Sequence, residues 1–429
     1  QGLKSVEHVL VAPWGLPEGW AEVEYIFDGQ KTKSKSSLKP LVEGLKPNMV
    51  ILVVVDTAVR KEFKDYDDLC QQVEKYYREW CDNKLGIRVS PEVIVAPGVG
   101  TLTLEDGRRI RFDGEMMDFY YFTGFELAKI LTSLKGELTL SLDLTHGINF
   151  VPTLLYRALN EILGILSYTR RIHFRVYNAE PLSKGARELR IHKVESREVH
   201  PRLSPHMLGR DDGKAHLLKT VEKSSKDVVR KFIEKAQTAE LNAFLSAIVN
   251  GLPLALFTFC PGKELEDHLS DACRLWRECI ECREGIVRRK ARFTGDFMRC
   301  VRLWVAAKSF GLERAKEVDL QRLKSQSKRL FKHEGTKKAL ISRTLRGIEE
   351  MKEKFRKEEW IPLRMVAGVG GGFSPSNFLA HAGLEYNVTE VCISDDLIKL
   401  RYSEEMKKNV IDACNSGLFN PKVKKNGEG

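Results

Sequence analysis

Gly136-Glu-Leu-Thr-Leu-Ser-Leu-Asp-Leu-Thr-His-Gly-Ile-Asn-Phe-Val-Pro152 is the stretch that decides the fold. Leu138, Leu140, Leu142 and Leu144 alternate with Thr139, Ser141 and Asp143, the period-two pattern of a strand with one strongly buried face. The run then breaks into the polar loop Thr145-His146-Gly147-Ile148-Asn149 and resumes as a helix. Pro152 falls in the first turn of that helix, where a missing N–H costs nothing. A strand ending in such a loop presents hydroxyl, imidazole and amide groups beside unpaired backbone donors. In an α/β protein this is where phosphate or a nucleotide is held.

Outward from this stretch the alternation of strand and helix continues. Residues 8–12 and 49–56 are short, β-branched, nearly continuous apolar runs, as expected for strands covered on both faces. The spacing predicts a helix over 65–82, a strand over 92–96 and a hairpin over 101–112 around Glu105-Asp106-Gly107. Helices over 117–134 and 150–166 and a strand over 171–178 complete a doubly wound, Rossmann-like domain. After the turn Pro181-Leu-Ser-Lys-Gly185, residues 188–196 read as one more short strand. Residues 198–214 are rich in Pro, His, Asp and Gly without periodicity and read as a linker. From 215 onward apolar residues recur at helical spacing among Lys, Arg and Glu. The predicted class is therefore α/β plus all-α: a Rossmann-like domain over 1–180, a short strand and linker over 181–214 and a helical domain over 215–429. Residues 422–429 read as a solvated basic tail.

A chain of 429 residues exceeds one ordinary core and is long enough for two or three. Its net charge of +11, from 70 Lys and Arg against 59 acids, favours a polyanionic partner. Nine cysteines at irregular positions do not form the disulfide frame of a small secreted domain, so a reducing, cytoplasmic setting is expected. Cys279-Ile-Glu-Cys282, with Cys273 nearby, is at most half a zinc site; it lies in an expected helical run over 275–290, and no metal is expected there. The longest apolar stretch, 243–259, is interrupted by Ser246, Asn250, Gly251 and Pro253 and reads as buried helix and turn, so no membrane partner is expected.

In the helical half one segment carries chemistry: Ala367-Gly-Val-Gly-Gly-Gly-Phe-Ser-Pro-Ser-Asn-Phe-Leu-Ala-His-Ala-Gly-Leu-Glu385. Four glycines in the five residues 368–372 break any helix. Ser374-Pro375 then reads as an N-cap followed by proline at the first helical position. Asn377 and His381, four apart, project from one face of the new helix, either as an acid–base pair or as a polar pair packed between helices. The small neighbours Ala382 and Gly383 would let a phosphate backbone or a second subunit approach. No Lys-Ser or Lys-Thr follows the glycines, so this is not a phosphate-binding loop of the nucleoside-triphosphatase kind.

Asp143-Leu-Thr-His-Gly-Ile-Asn149, with Pro13-Trp-Gly15 closing an earlier strand, resembles the CARF domains of CRISPR-associated effectors. Asn377-Phe-Leu-Ala-His381-Ala-Gly resembles the HEPN ribonuclease motif, and the two in this order resemble the CARF–HEPN ribonucleases of type III CRISPR systems, the Csx family. The resemblance implies a sensor that binds a cyclic oligoadenylate through Trp14, Gly15, Asp143, Thr145, His146, Gly147 and Asn149. It also implies antiviral cleavage of single-stranded RNA without a metal or cofactor. His381 and Asn377 would be the catalytic pair, cyclic tetra-adenylate the allosteric activator, and a homodimer or a higher assembly of dimers the working form. The family's arginine would fall at Ser376, so the charge is expected from Arg364, Arg343 or Arg346, or the chain is an inactive form. Arg210 and His216 repeat the motif's spacing in the linker and are read as chance.

Residues of the basic run 30–37 either meet ligand phosphates or form an exposed loop, and Asp56-Thr57 is expected on the ligand rim. Residues 288–292 and 324–338 are basic stretches that either track RNA or face solvent, while Trp276, Trp304 and Trp360 are expected in cores. Two alternatives stay open: a non-catalytic nucleic-acid-binding regulator with the same sensor, and a ring nuclease in which His146 promotes cleavage of the bound cyclic oligoadenylate.

Overall fold

A computed structural model describes residues 6–183, 185–209, 211–221 and 230–418. Arg210 of the linker and the basic tail lie outside the described residues. The chain packs as two units. The first holds the residues up to His200 together with Leu218–Lys231 and Asp271–Thr294, and the second holds Pro201–Leu217, Phe232–Ser270 and Gly295–Gly429. The expected division at 181–214 thus differs from the packing, because two segments of the carboxy-terminal half belong to the first unit. The linker does not contain the only crossing.

The first unit is built on an eight-stranded sheet in the order Gln30–Ser34, Val23–Phe27, Glu188–Glu198, Ile172–Ala179, Glu137–Asp143, Val6–Pro13, Met49–Val55, Glu92–Ala96. The last five of these in sheet order after Glu188–Glu198 run parallel, and Glu188–Glu198 pairs antiparallel with Ile172–Ala179. Helices Tyr66–Trp80, Met116–Ser133 and Val151–Leu166 fall within one or two residues of the expected spans. Asp65 caps the first of them by accepting from Asp68 N at 2.8 Å, and Pro152 sits in the first turn of the third. Strand order reverses between Val6–Pro13 and its neighbour Glu137–Asp143, so the carboxyl ends of these two strands flank the crevice at the topological switch point.

The strand Glu137–Asp143 departs from the expected one-faced burial. Leu138, Leu140 and Leu142 are fully buried, but so are Ser141 and Asp143. Both faces of a parallel sheet are covered, and the polar side chains are tolerated because each is bonded. Ser141 Oγ lies 2.9 Å from His8 Nε2, and Asp143 accepts from Ser37 Oγ at 2.6 Å.

The hairpin Gly100–Thr103 and Arg109–Asp113 forms as expected. The run 275–290 does not stay helical. Its helix ends at Glu278, and Ile280–Arg283 pairs antiparallel with Ile286–Arg289 across a turn in which Glu284 and Gly285 have φ of 50° and 73°. Two successive left-handed residues make the tight turn that suits a twisted hairpin. Cys279 and Cys282 carry free thiols, and burial pushes that of Cys282 up to about 11.

The second unit is mainly helical, with Lys235–Asn250, Gly295–Phe310, Leu320–Leu330, Gly335–Glu350 and Lys407–Ser416 around a core that includes Phe244, Ile248, Val301, Leu323, Leu345 and Val410. It also contains a small sheet in the order Glu317–Asp319, Leu397–Tyr402, Thr389–Ser394, Ile361–Pro362, which corrects the expectation of helices alone. The turn of its central hairpin is Asp395-Asp396, both at positive φ (51° and 59°). Asp tolerates this conformation better than most residues, but the pair lacks the glycine that flags such turns. Trp276 and Trp304 are core residues, whereas Trp360 is half-buried with the Arg401 guanidinium 4.2 Å above its ring. Among the described residues no helix is long and apolar enough to cross a membrane.

Candidate functional site

At the switch point the loop after Glu137–Asp143 is organised by one buried carboxylate. Asp143 accepts from Ser37 Oγ at 2.6 Å, from Thr145 Oγ1 at 2.6 Å and from Thr145 N at 3.1 Å. Burial raises its pKa, and the Ser37 and Thr145 hydrogen bonds oppose that rise by favouring the ionised form. Thr145 Oγ1 also accepts from Ala179 N at 3.0 Å, so Thr145 ties the loop to the neighbouring strand. Neither Asp143 nor Thr145 has a hydroxyl proton or an ionised oxygen left idle. They shape the rim.

His146 follows and is held on three sides. Its backbone carbonyl accepts from Gly15 N at 2.9 Å, its Nε2 lies 3.3 Å from Ser37 N, and Trp20 stacks on its ring with centroids 3.7 Å apart and planes 20° apart. An imidazole nitrogen that accepts an amide proton is unprotonated, so the ring proton sits on Nδ1. Burial lowers the pKa of His146 to about 4, which keeps it neutral at physiological pH.

Trp14 is 1% exposed and packs edge-on against Trp20 and Trp80, with Tyr77 beside it. It therefore supports the rim from below. Gly15 and Gly147 are required by close packing: a Cβ on Gly15 would lie 2.8 Å from Ile148 Cγ2, and one on Gly147 would collide with the Pro152 ring. Asn149 is exposed with φ of 51°, and Ile148 is 42% exposed, so these two form the outward lip. All seven expected residues thus gather at one crevice, but only His146, Gly147 and Asn149, with part of Thr145, are accessible to a ligand.

The basic run divides. Lys31 is paired with Glu24 and Glu188 and Lys33 with Glu22 on the strand Gln30–Ser34, whereas Ser36 and Ser37 are buried and Ser37 joins the rim. Asp56 is not a rim residue. It is fully buried, accepting from Tyr66 Oη at 2.8 Å and Gly98 N at 2.8 Å, and it is ion-paired with the equally buried Arg289. Arg289 also donates to Gly98 O at 2.7 Å, and a Cβ on Gly114 would come within 2.8 Å of its Nη1. Of the rim, Ser37 belongs to the run 30–37, read from sequence as either phosphate contacts or an exposed loop, whereas Trp20 and Tyr77, which donates to Gly15 O at 3.0 Å, were not singled out. Trp20, five residues after Gly15, carried a signal.

In the second unit the helix Leu363–Ala367 ends at Gly368 with φ of 66°, the glycine loop follows, and a one-turn helix Pro375–Ala380 presents the motif. Ser374 takes the N-cap position with Pro375 at the first turn. His381 N donates to Asn377 O at 2.9 Å, which places the two residues one turn apart on the helix end. Asn377 is exposed and His381 half-buried, and neither side chain is hydrogen-bonded among the described residues. The His381 ring faces Tyr386 at 5.7 Å. Ser376 is exposed, its Oγ 2.8 Å from Ser374 Oγ.

Ala382 and Gly383 do not open a path for phosphate. Both have positive φ (52° and 77°) and turn the chain sharply inward. Ala382 is fully buried, Gly383 O accepts from Tyr402 Oη at 2.9 Å, and a Cβ on Gly383 would lie 3.1 Å from Leu252 Cβ. Their small size serves internal packing and brings Tyr386 back against His381.

A family model described as the CARF domain of CRISPR system endoribonuclease Csx1 matches residues 9–181, and one described as its HEPN domain matches residues 335–405. A CARF domain followed by a HEPN domain defines the class of CRISPR-associated endoribonucleases. The CRISPR system endoribonuclease Csx1 of Methanocaldococcus jannaschii is 30% identical over 412 residues, spanning 91% of this chain and 87% of its own length. The chain belongs to the Csx1 family.

Proposed function

We propose that this endoribonuclease cuts single-stranded RNA without a metal, that a cyclic oligoadenylate bound at the sensor crevice activates it, and that two copies form the working unit. The observation that carries the cleavage reading is the placement of His381 and Asn377. Both stand at the tip of a one-turn helix behind a glycine loop, inside the HEPN-matched segment, with unengaged side chains. An imidazole there can take the proton of a ribose 2′-OH as its oxygen attacks phosphorus. The bond from phosphorus to the 5′-oxygen breaks and that oxygen is protonated, leaving a cyclic phosphate and a 5′-hydroxyl. Asn377 orients the phosphate. Flexible single strands reach the in-line geometry more readily than a stiff duplex. One such histidine per chain fits a cleft composed from two protomers across a two-fold axis.

For the sensor, a rim of backbone amides, hydroxyls and a neutral imidazole at the switch point fits a nucleotide phosphate. His146 is better suited to holding a cyclic oligoadenylate than to cutting it, because its Nε2 is engaged by Ser37 N and burial depresses its basicity. The non-catalytic alternative rests on Ser376 alone.

Cleavage of end-labelled single-stranded RNA in EDTA, with and without cyclic tetra-adenylate, tests the reading. Stimulated cutting that disappears in His381→Ala is the expected result. Cutting that persists in His381→Ala, or appears only when a divalent metal is supplied, would overturn it.

A further inference from the structure

We infer that Arg364 is the cation of the RNA-cleavage centre; this rests on the nuclease reading of His381 above. In-line attack on a phosphodiester accumulates negative charge on the phosphoryl oxygens. A centre made of an imidazole and an amide alone leaves that charge without a fixed positive partner. The motif helix cannot supply one, since Pro375–Ala380 contains no basic residue and position 376 is serine.

The chain meets the need from the preceding helix. Arg364 N donates to Tyr386 O at 3.0 Å, and the Tyr386 ring is the one that faces His381 at 5.7 Å. The two segments are further held in register by the pairing of Ile361 with Val391 and of Pro362 with Glu390. The Arg364 backbone is thus bonded to the residue whose ring faces the imidazole, just before the glycine loop that leads to the motif.

Of the other cations of this region, Arg401 pairs with Glu390 at 2.7 Å, Lys399 with Asp395 at 3.3 Å and Lys407 with Glu240 at 2.9 Å, while the exposed Lys408 offers an ammonium and not a guanidinium. Arg364 is exposed and pairs with no carboxylate among the described residues. Its chain neighbours Met365 and Val369 are apolar and 65% and 44% exposed. Arg343 and Arg346 are exposed on the helix Gly335–Glu350, and no hydrogen bond or ring contact ties either to the His381 loop. A guanidinium forks onto two phosphate oxygens at once, which an ammonium does not.

The test is activator-stimulated RNA cleavage by the full chain and by Arg364→Ala, Arg364→Lys, Ser376→Arg and the double variant Arg364→Ala with Ser376→Arg. Arg364→Ala should lower kcat by about 100-fold or more with a much smaller change in KM. Arg364→Lys should recover only part of the loss, and adding Ser376→Arg to Arg364→Ala should raise kcat at least about tenfold by returning a cation to the motif helix. Unchanged thermal midpoints and activator binding exclude misfolding as the cause. Arg364→Ala cutting at the parent rate, or a loss seen instead with Arg343→Ala or Arg346→Ala, would overturn the proposal and leave the nuclease reading intact, whereas a parent chain that cuts only after Ser376→Arg would overturn both, as an inactive form of the fold. If His381→Ala cuts as well as the parent, the nuclease reading itself fails.

Discussion

At the sensor rim Asp143, Thr145, Ser37 and His146 bond to one another and to neighbouring backbone, whereas at the motif in the helical unit Asn377 and His381 carry unengaged polar groups on an exposed tip. The contrast follows from surroundings. A crevice between covered parallel strands excludes water, so each polar atom there must be paired or incur a desolvation cost of about 1–3 kcal/mol. A one-turn helix at the surface has water for its partners and can leave its side chains open to substrate. Under the proposed function this separates ligand recognition from chemistry: one region is fixed by its own network, and the other is open to its partner.

The largest test of this contrast lies in a buried pair elsewhere in the first unit. Arg289 and Asp56 are both inaccessible, and the carboxylate has two further donors in Tyr66 and Gly98. Arg289→Ala leaves an unpaired carboxylate in the sensor unit and should cost about 3–5 kcal/mol. Urea unfolding followed by a probe in the first unit measures this; a change below about 1 kcal/mol would show that the pair is solvated and that a buried polar group in this unit can go unpaired at little cost.

Acid should act on the rim through His146. With a folded pKa near 4 against an ordinary value of 6.5, the unfolded chain binds the proton first as pH falls. The stability that a neutral His146 contributes is therefore complete above about pH 6.5 and is lost between there and about pH 4, to the extent of roughly 3 kcal/mol. Replacing His146 by Gln should flatten this part of the profile. An equal slope in both proteins would mean that the imidazole is not enclosed.

Both regions were partly legible in the sequence, for different reasons. The strand pattern of 138–144, the loop after it and Pro152 located the rim, because hydrophobic period and helix-start chemistry are local signals. What the loop residues do was not local. Asp143 and Thr145 look like ligand contacts in sequence and turn out to hold Ser37 and the strand Ile172–Ala179, which are distant in the chain. Likewise Asp56 ends a strand where ligands bind, and only the folding back of Asp271–Thr294 explains its burial against Arg289. In the helical unit the Ser374-Pro375 start and the spacing of Asn377 and His381 were readable, but the role of Ala382 and Gly383 depended on Tyr402 and Leu252. The strands Thr389–Ser394 and Leu397–Tyr402 do alternate in sequence, and their Asp-Asp turn concealed the hairpin.

Gly147 gives a smaller, steric version of the rim test. The Pro152 ring is rigid and belongs to the first turn of a buried helix, so a methyl group at 147 must displace either the loop or the helix end. Gly147→Ala should destabilise the sensor unit by about 1–3 kcal/mol and weaken cyclic tetra-adenylate binding, both readable from thermal shifts with and without the ligand. An unshifted midpoint would place the loop farther from Pro152 than the crevice geometry allows.

The smallest expected effect is the most discriminating. Removing the Asn377 amide or the His381 imidazole deletes no intramolecular hydrogen bond, and the ring contact with Tyr386 is made at a half-exposed site. Asn377→Ala and His381→Ala should therefore change stability by no more than about 0.5 kcal/mol, the range of ordinary surface substitutions. If His381→Ala nevertheless abolishes RNA cleavage, the residue acts on substrate and not on the fold. A loss of stability above about 2 kcal/mol would instead make His381 a packing residue like Ala382 and Gly383 beside it. The distinction between a self-satisfied rim and an open tip would then collapse at its second half.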